Sequence, residues 1–292
     1  MTTSTRFPDF LCVGAGKSGT TSLHHYLNEH PQVFLPEQKE LYFWHINRNP
    51  NRAIVSHLGG GCVPETLESY LESFSGARPD QIIGEVCPSY LYYHTYTIQS
   101  LVEMHPSWRD LRIIIILREP GSKISSAYRF TQSRGLDPDF LSFQDAILAE
   151  PQRLAENHLL LDNFYKDTTR YAGQVRAFME QFPRVRVYLY EDLVERADWL
   201  LSDLAEFLGI DPFPQKEGQW TAYNTSGNSR AFTSGAAKNT FRSLARLGRL
   251  APGPLRRQMR RKLERKLTQK PAVDDDLLMD IRKEFRPEVE EL

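Results

Sequence analysis

The stretch Phe10-Leu11-Cys12-Val13-Gly14-Ala15-Gly16-Lys17-Ser18-Gly19-Thr20-Thr21 constrains this chain more than any other part of it. An apolar run meets two glycines, a lysine and small hydroxyl residues, and a helical pattern begins at Leu23. That order predicts a buried strand, a tight turn and a helix N-terminus. The glycines let the turn amides face inward and the helix start adds positive dipole, so the turn is a cradle for a phosphate-like oxyanion. Spacing separates it from the loop that holds nucleoside triphosphates, G-x-x-x-x-G-K-[ST]. Ending that motif at Gly16-Lys17-Ser18 requires glycine where Leu11 stands, and starting it at Gly14 requires lysine where Thr20 stands. The ammonium of Lys17 therefore approaches the anion from within the loop.

The rest of the chain supplies an alternation of strands and helices. Strands are predicted at Asp9 to Val13, Val33 to Leu35, Ile82 to Val86, Arg112 to Leu117 and Val185 to Tyr190. Helices are predicted at about Ser18 to Glu29, Pro64 to Phe74, Glu119 to Arg134, Phe143 to Glu150, Phe164 to Gln181 and Trp199 to Leu208. His30-Pro31 closes the first helix, Pro120 suits the first turn of another, and Gly209 caps a third. The run Arg112 to Leu117 is β-branched and continuous, as a strand buried on both faces should be. Such alternation implies an α/β fold, with a P-loop-like parallel β-sheet flanked by helices on both faces. Ligands in such folds bind beyond the carboxyl ends of the strands, where the first loop, Arg118 and Glu85 all fall.

The segment Pro36 to Trp44 reads as a loop, and Asn47 to Pro64 as a surface excursion. Beyond about Asp211 the character changes: a small-residue loop at Asn224 to Gly235, a basic helical stretch at Leu255 to Lys270, and an acidic amphipathic helix at Val273 to Leu292. The expectation is a single domain over 1–292, with a core at about 8–232 and a helical C-terminal extension at about 233–292.

With 292 residues, 40% of them hydrophobic, there is material for a substantial core. A net charge of −1 argues against nucleic-acid binding through overall charge. Three cysteines, Cys12, Cys62 and Cys87, imply no disulfide framework and suit a reducing cytosol. Met1 to Asp9 carries no apolar signal region, and no run is long and apolar enough to span a bilayer, so a cytoplasmic location is expected.

A second constellation is Leu117-Arg118-Glu119-Pro120 followed by Ser125-Ser126-Ala127-Tyr128. Arg118 leaves a buried strand at the binding edge, and Ser126 follows in the next helix. A guanidinium and a hydroxyl turned to one point make a second phosphate site.

In these residues the chain resembles sulfotransferases that use 3′-phosphoadenosine 5′-phosphosulfate (PAPS), the carbohydrate and heparan type in particular. The opening loop resembles that family's 5′-phosphosulfate loop, and Arg118 with Ser126 resembles its 3′-phosphate site. Gly84-Glu85-Val86-Cys87-Pro88-Ser89-Tyr90 is similar to the family's E-K-[TS]-P-x-Y segment. Tyr190-Glu191-Asp192-Leu193 and Phe207-Leu208-Gly209 are similar to its Y-E-D-L and F-L-G pattern. Asn224 to Arg230 looks like the late loop that closes over the nucleotide. The resemblance covers most of Phe10 to Arg230.

What the resemblance implies is specific. Gly16, Lys17, Ser18, Gly19, Thr20 and Thr21 would hold the 5′-phosphosulfate, with Lys17 on the bridging oxygen, where charge grows as the S–O bond breaks. Arg118 and Ser126 would hold the 3′-phosphate, with Arg230 adding a phosphate contact. The product would be 3′,5′-ADP, and no metal is implied. Gln38-Lys39-Glu40-Leu41-Tyr42-Phe43-Trp44 resembles the K-E-x-H-F-F segment of carbohydrate-type members, in which the glutamate is the general base. Glu40 is accordingly the expected base, and His45 a reserve. Two positions depart from the family: its histidine is Tyr42 here, and the lysine of E-K-[TS]-P is Val86. Both bear on the acceptor, for which a carbohydrate or glycolipid is favoured.

Tyr42, Phe43, Trp44, Tyr90, Tyr92 and Tyr93 could floor an acceptor groove, although Phe43 and Trp44 suit core packing. The basic face of Arg256, Arg257, Arg260, Arg261, Lys262, Arg265 and Lys266 could touch an anionic membrane surface, or simply be solvated. Two other classes stay open at this point. A P-loop kinase or NTPase would need a carboxylate where Arg118 leaves its strand, and a non-catalytic module would bind membrane through the basic face.

Overall fold

Alternating burial along two adjacent strands shows how the sheet is sandwiched. In β1 (Phe10–Gly14), Leu11 and Val13 enter one apolar cluster while Phe10 and Cys12 enter another. In β4 (Arg112–Leu117), Ile113, Ile115 and Leu117 join the first cluster, and Ile114 and Ile116 the second. Both strands are thus covered on both faces, which is why they read as continuous apolar runs. The computed structural model describes residues 6–49, 63–137, 139–156, 161–214, 230–247, 262 and 266–292.

The chain divides into two compact units, one of 1–120, 170–224 and 285–292, the other of 121–169 and 225–284. The first holds a five-stranded sheet in the order β2-β3-β1-β4-β5, formed by β1, β2 (Val33–Phe34), β3 (Ile82–Val86), β4 and β5 (Val185–Leu189). Every pairing in it is parallel. This is the predicted α/β fold. β1 lies between β3 and β4, so the chain winds outward from it in both directions. The loop leaving β1 therefore stands at a topological switch point, where open α/β sheets take ligands.

One face of the sheet packs α2 (Phe43–Ile46), α3 (Leu67–Glu72), α4 (Ser89–Tyr92), α5 (His94–Met104) and α8 (Tyr171–Gln181). The other packs α1 (Thr20–Asn28) and α10 (Ala197–Leu208), whose C-terminus is capped by Gly209 at φ 68°. The short α9 (Tyr190–Glu195) follows β5 directly. The second unit holds most of α6 (Pro120–Arg134), then α7 (Phe143–Glu156), a small antiparallel pair of β6 (Ala231–Phe232) and β7 (Thr268–Gln269), α11 (Gly235–Leu247) and α12 (Asp275–Glu284). Its interior is tied by Arg153, whose Nη2 donates to buried Asp137 at 2.9 Å. Glu150 accepts the amides of Lys166 and Asp167 at 2.9 and 2.7 Å.

Several expected boundaries shift. The loop read at Pro36 to Trp44 runs into α2. Helix α5 was not predicted: its Thr and Ile residues have weak helix propensity, and burial of Thr97, Ser100 and Leu101 decides it instead. The acidic helix read at Val273 to Leu292 is two helices, α12 and α13 (Arg286–Glu291). The break falls at buried Phe285, and Pro287, which has no N–H to continue a ladder, sits in the first turn of α13. Most of the basic stretch at Leu255 to Lys270, and the loop from Asn224 to Ser229, lie outside the described residues.

Candidate active site

The predicted oxyanion loop connects β1 to α1 as expected. Gly19 is the N-cap of α1, with φ 94° and no side chain to cap the helix. A Cβ at this position would lie 2.8 Å from Cδ2 of Tyr190 and 3.0 Å from Cδ2 of Leu193, so only glycine fits there. The intrahelical ladder begins with the Leu23 amide donating to the Gly19 carbonyl at 3.1 Å. The first-turn amides of Thr20 and Thr21 precede that ladder and form the positive end of the helix. Lys17 also sits in the left-handed region, at φ 65°. Ser18 and Thr20 are buried, and Gly16, Lys17 and Thr21 are half-buried.

Arg118 meets this loop from the end of β4. Its Nη1 donates to the Lys17 carbonyl at 3.2 Å, and its guanidinium lies 4.3 Å from the ring centre of Tyr190. Its Nε is buried and has no hydrogen-bond partner among the described residues. A buried donor left unmatched is costly, and an anion is the ligand that would satisfy it. The loop and Arg118 therefore fit a phosphate-bearing group. Among the described residues, no group of three or more His, Cys, Asp or Glu is placed to hold a metal ion.

Glu40 is brought to the same helix start. Lys39 places its Nζ 2.7 Å from Glu40 Oε1 and 3.4 Å from Thr21 Oγ1, so one ammonium links the expected base to the first turn of α1. Tyr42 donates its hydroxyl to Glu40 Oε2 at 2.6 Å. Glu40 and Tyr42 both adopt left-handed backbone, at φ 66° and 60°. His24 of α1 faces this group: burial, then the Lys39 and His25 charges, push its imidazole down to about 4, while Glu40 acts in the opposite direction.

Behind the turn lies Glu85, at the end of β3 and fully buried. Its Oε1 accepts the Leu41 amide at 3.0 Å, and its Oε2 accepts the Tyr70 hydroxyl at 2.8 Å. The Tyr90 hydroxyl lies 2.9 and 3.0 Å from the two oxygens. Trp44 Nε1 donates in turn to the Tyr70 hydroxyl at 2.8 Å. Burial pushes the Glu85 carboxyl up to about 7, against the lowering effect of these donors.

Several other expectations find their places. His45 is fully buried, with Nε2 2.9 Å from Ser89 Oγ, and burial pushes its imidazole down to about 3. The ring packs in the core beside Tyr90 and Tyr93. Phe43, Trp44 and Tyr90 are core residues as well, whereas Tyr92 and Tyr93 are half-buried. In the second unit Ser126 is buried on α6, and Arg230 Nε donates to Thr268 Oγ1 at 2.9 Å. Sequence reasoning missed Lys39 and the core role of Glu85. The acidic and basic residues of the Lys39-Glu40 pair were legible, but adjacency alone did not show that Lys39 also reaches Thr21.

The description "Sulfotransferase domain" belongs to the family whose sequence pattern matches residues 7–245. The sulfotransferase from Alicyclobacillus acidocaldarius, known from a crystal structure, superposes with a TM-score of 0.62 at 28% identity. The match covers 73% of this chain and 86% of that one. Two curated relatives match as well. Membrane-associated sulfotransferase kil1 of Dictyostelium discoideum is 27% identical over 124 residues, which is 42% of this chain and 23% of kil1. Carbohydrate sulfotransferase 15 of Mus musculus is 23% identical over 274 residues, covering 76% of this chain and 47% of the mouse protein. The chain thus spans less than half the length of either curated relative.

Proposed function

The chain belongs to the sulfotransferase family, and from that premise we propose that it transfers a sulfuryl group from PAPS to an acceptor hydroxyl, with Glu40 as general base. PAPS is the donor general to that family. The observation that carries the reading is the Lys39 bridge, which ties Glu40 to Thr21 at the oxyanion loop. A base and an anion cradle side by side are what in-line transfer to a hydroxyl requires.

The donor supplies a sulfuryl group whose bond to the bridging phosphate oxygen breaks as the acceptor oxygen bonds to sulfur, leaving 3′,5′-ADP. The chain's own residues do the rest. The Gly16 to Thr21 backbone holds the phosphosulfate, with the α1 dipole behind it. The Lys17 ammonium stabilises the charge that grows on the bridging oxygen, an interaction stronger in the transition state than before it. Arg118, with its unmatched Nε, holds the 3′-phosphate, and Ser126 and Arg230 are the further phosphate contacts that the family resemblance implies. Glu40 takes the proton of the attacking hydroxyl, with the Tyr42 hydroxyl holding its Oε2.

A carbohydrate or glycolipid is the proposed acceptor. The Lys39-Glu40 segment and the name of the mouse relative support that choice, and the half-buried rings of Tyr92 and Tyr93 suit stacking on a sugar. A reducing, cytoplasmic setting suits Cys12 and Cys87, which are free buried thiols among the described residues. Among the described residues no helix is long and apolar enough to cross a membrane.

The test compares the melting-temperature shift produced by 3′,5′-ADP with that produced by ADP, then incubates the protein with radiolabelled PAPS and a panel of sugars and glycolipids. Only 3′,5′-ADP carries the 3′-phosphate, so it should give the larger shift. An equal or larger shift with ADP and magnesium would overturn the donor assignment in favour of an NTPase. Label on non-carbohydrate hydroxyls alone would overturn the acceptor class and leave the donor standing.

A further inference from the structure

The turn that carries Glu40 is backbone-strained on both sides of a single amide. Glu40 and Tyr42 each hold a left-handed φ that a residue with a Cβ disfavours, and Leu41 lies between them. Such a turn persists only where its surroundings over-determine it. The surroundings grip the Leu41 amide, 3.0 Å from Glu85 Oε1, and the Tyr42 backbone, which is hydrogen-bonded to Cys87. Glu85 is itself gripped by Tyr70 of α3 and Tyr90 of α4, while Trp44, just beyond the turn, donates to Tyr70. The groups hydrogen-bonded to this carboxylate, the Leu41 amide and the Tyr70 and Tyr90 hydroxyls, all donate. A fully buried carboxylate is an expensive way to fill a core, since apolar groups of the same volume commonly serve stability better. Its use here is geometric.

We propose that Glu85 is the positioning residue of the Glu40 turn: by accepting the Leu41 amide from inside the core, it holds Glu40 toward Lys39 and the start of α1. The role rests on the reading of Glu40 as the base, and it adds to that reading the residue through which the fold delivers the base. Reach matters more than charge in this role. Glutamine keeps an acceptor oxygen at the same distance from Leu41, whereas aspartate keeps the charge but withdraws it by one methylene.

The test uses the full chain with Glu85→Asp, Glu85→Gln, Glu40→Gln and the double variant Glu40→Gln/Glu85→Asp. Two quantities are measured: transfer kinetics with PAPS and the acceptor found by the panel, and the exchange rate of the Leu41 amide by NMR. Glu85→Asp should lower kcat by at least about tenfold with the donor KM within about twofold, and Glu85→Gln should recover most of it. In the Glu40→Gln background Glu85→Asp should cost nothing further, because both changes act on one group. The Leu41 amide should exchange at least about tenfold faster in Glu85→Asp. An equal loss in both backgrounds, or an unchanged Leu41 exchange rate, would overturn the positioning role. Full turnover in Glu40→Gln would remove the base assignment by itself, and the Leu41 exchange rate would still decide whether Glu85 holds the turn.

Discussion

The ammonium of Lys39 lies 2.7 Å from the carboxylate of Glu40 and remains within 3.4 Å of Thr21, so the pair is anchored to the helix start rather than loose on the surface. Glu40 itself holds left-handed backbone, at φ 66°.

The Lys39–Glu40 pair can be tested without any substrate. His24 should titrate near 4, held down mainly by burial. Lys39→Met should raise its pKa by removing a positive neighbour, and Glu40→Gln should lower it further by removing a negative one. Imidazole shifts followed by NMR across pH check both signs. With side-chain exposures of 22% and 29%, the pair should contribute only about 1 kcal/mol to stability.

Lys17→Ala should fold, since alanine meets the same backbone strain that Lys17 already bears. It should reduce kcat by about 10² to 10³-fold while 3′,5′-ADP still raises the melting temperature. Transfer at the wild-type rate would remove Lys17 from the mechanism. Glu40→Gln should likewise keep the nucleotide shift and lose about a hundredfold or more in turnover.

Gly19→Ala combines a left-handed φ with a Cβ 2.8 Å from the Tyr190 ring. It should destabilise by about 3 kcal/mol, read as a fall in melting temperature. Tyr190 would also have to move from beneath Arg118, so affinity for 3′,5′-ADP measured by calorimetry should fall with it.

Glu85 makes stability depend on pH. Its carboxyl is raised from 4.5 to about 7 by burial, so the folded chain holds this proton more tightly than the unfolded chain. The stabilisation is therefore complete below about pH 4.5 and lost as pH rises through about 7. Facing Glu85 are the hydroxyls of Tyr70 and Tyr90 and the Cys87 thiol, all pushed up by burial and therefore protonated, together with the Glu40 carboxylate. Between pH 4.5 and 8 the wild-type chain should lose on the order of 3 kcal/mol relative to Glu85→Gln, measured by denaturant titration at each pH.

The sheet and the oxyanion loop were legible because both are local. The runs at Phe10 to Val13 and Ile113 to Leu117 state their burial in their own composition, and Gly19 states its backbone conformation by lacking a Cβ. Helix α5 was not legible, since packing overrode weak propensity there, whereas the break at Phe285 was missed although Pro287 signals it in the sequence. Glu40 could be singled out from its motif, and Arg118 from its place after a buried strand. By itself the sequence determined the sheet order's raw material, the strand–turn–helix at Phe10 to Asn28 and the family. Only the tertiary structure decided that Lys39 reaches Thr21, that Arg118 keeps a buried Nε unmatched, and that Glu85 grips Leu41 across 44 residues of chain. Those contacts depend on where separate segments come together in the fold, and side-chain chemistry read along one strand of sequence carries no record of such distances.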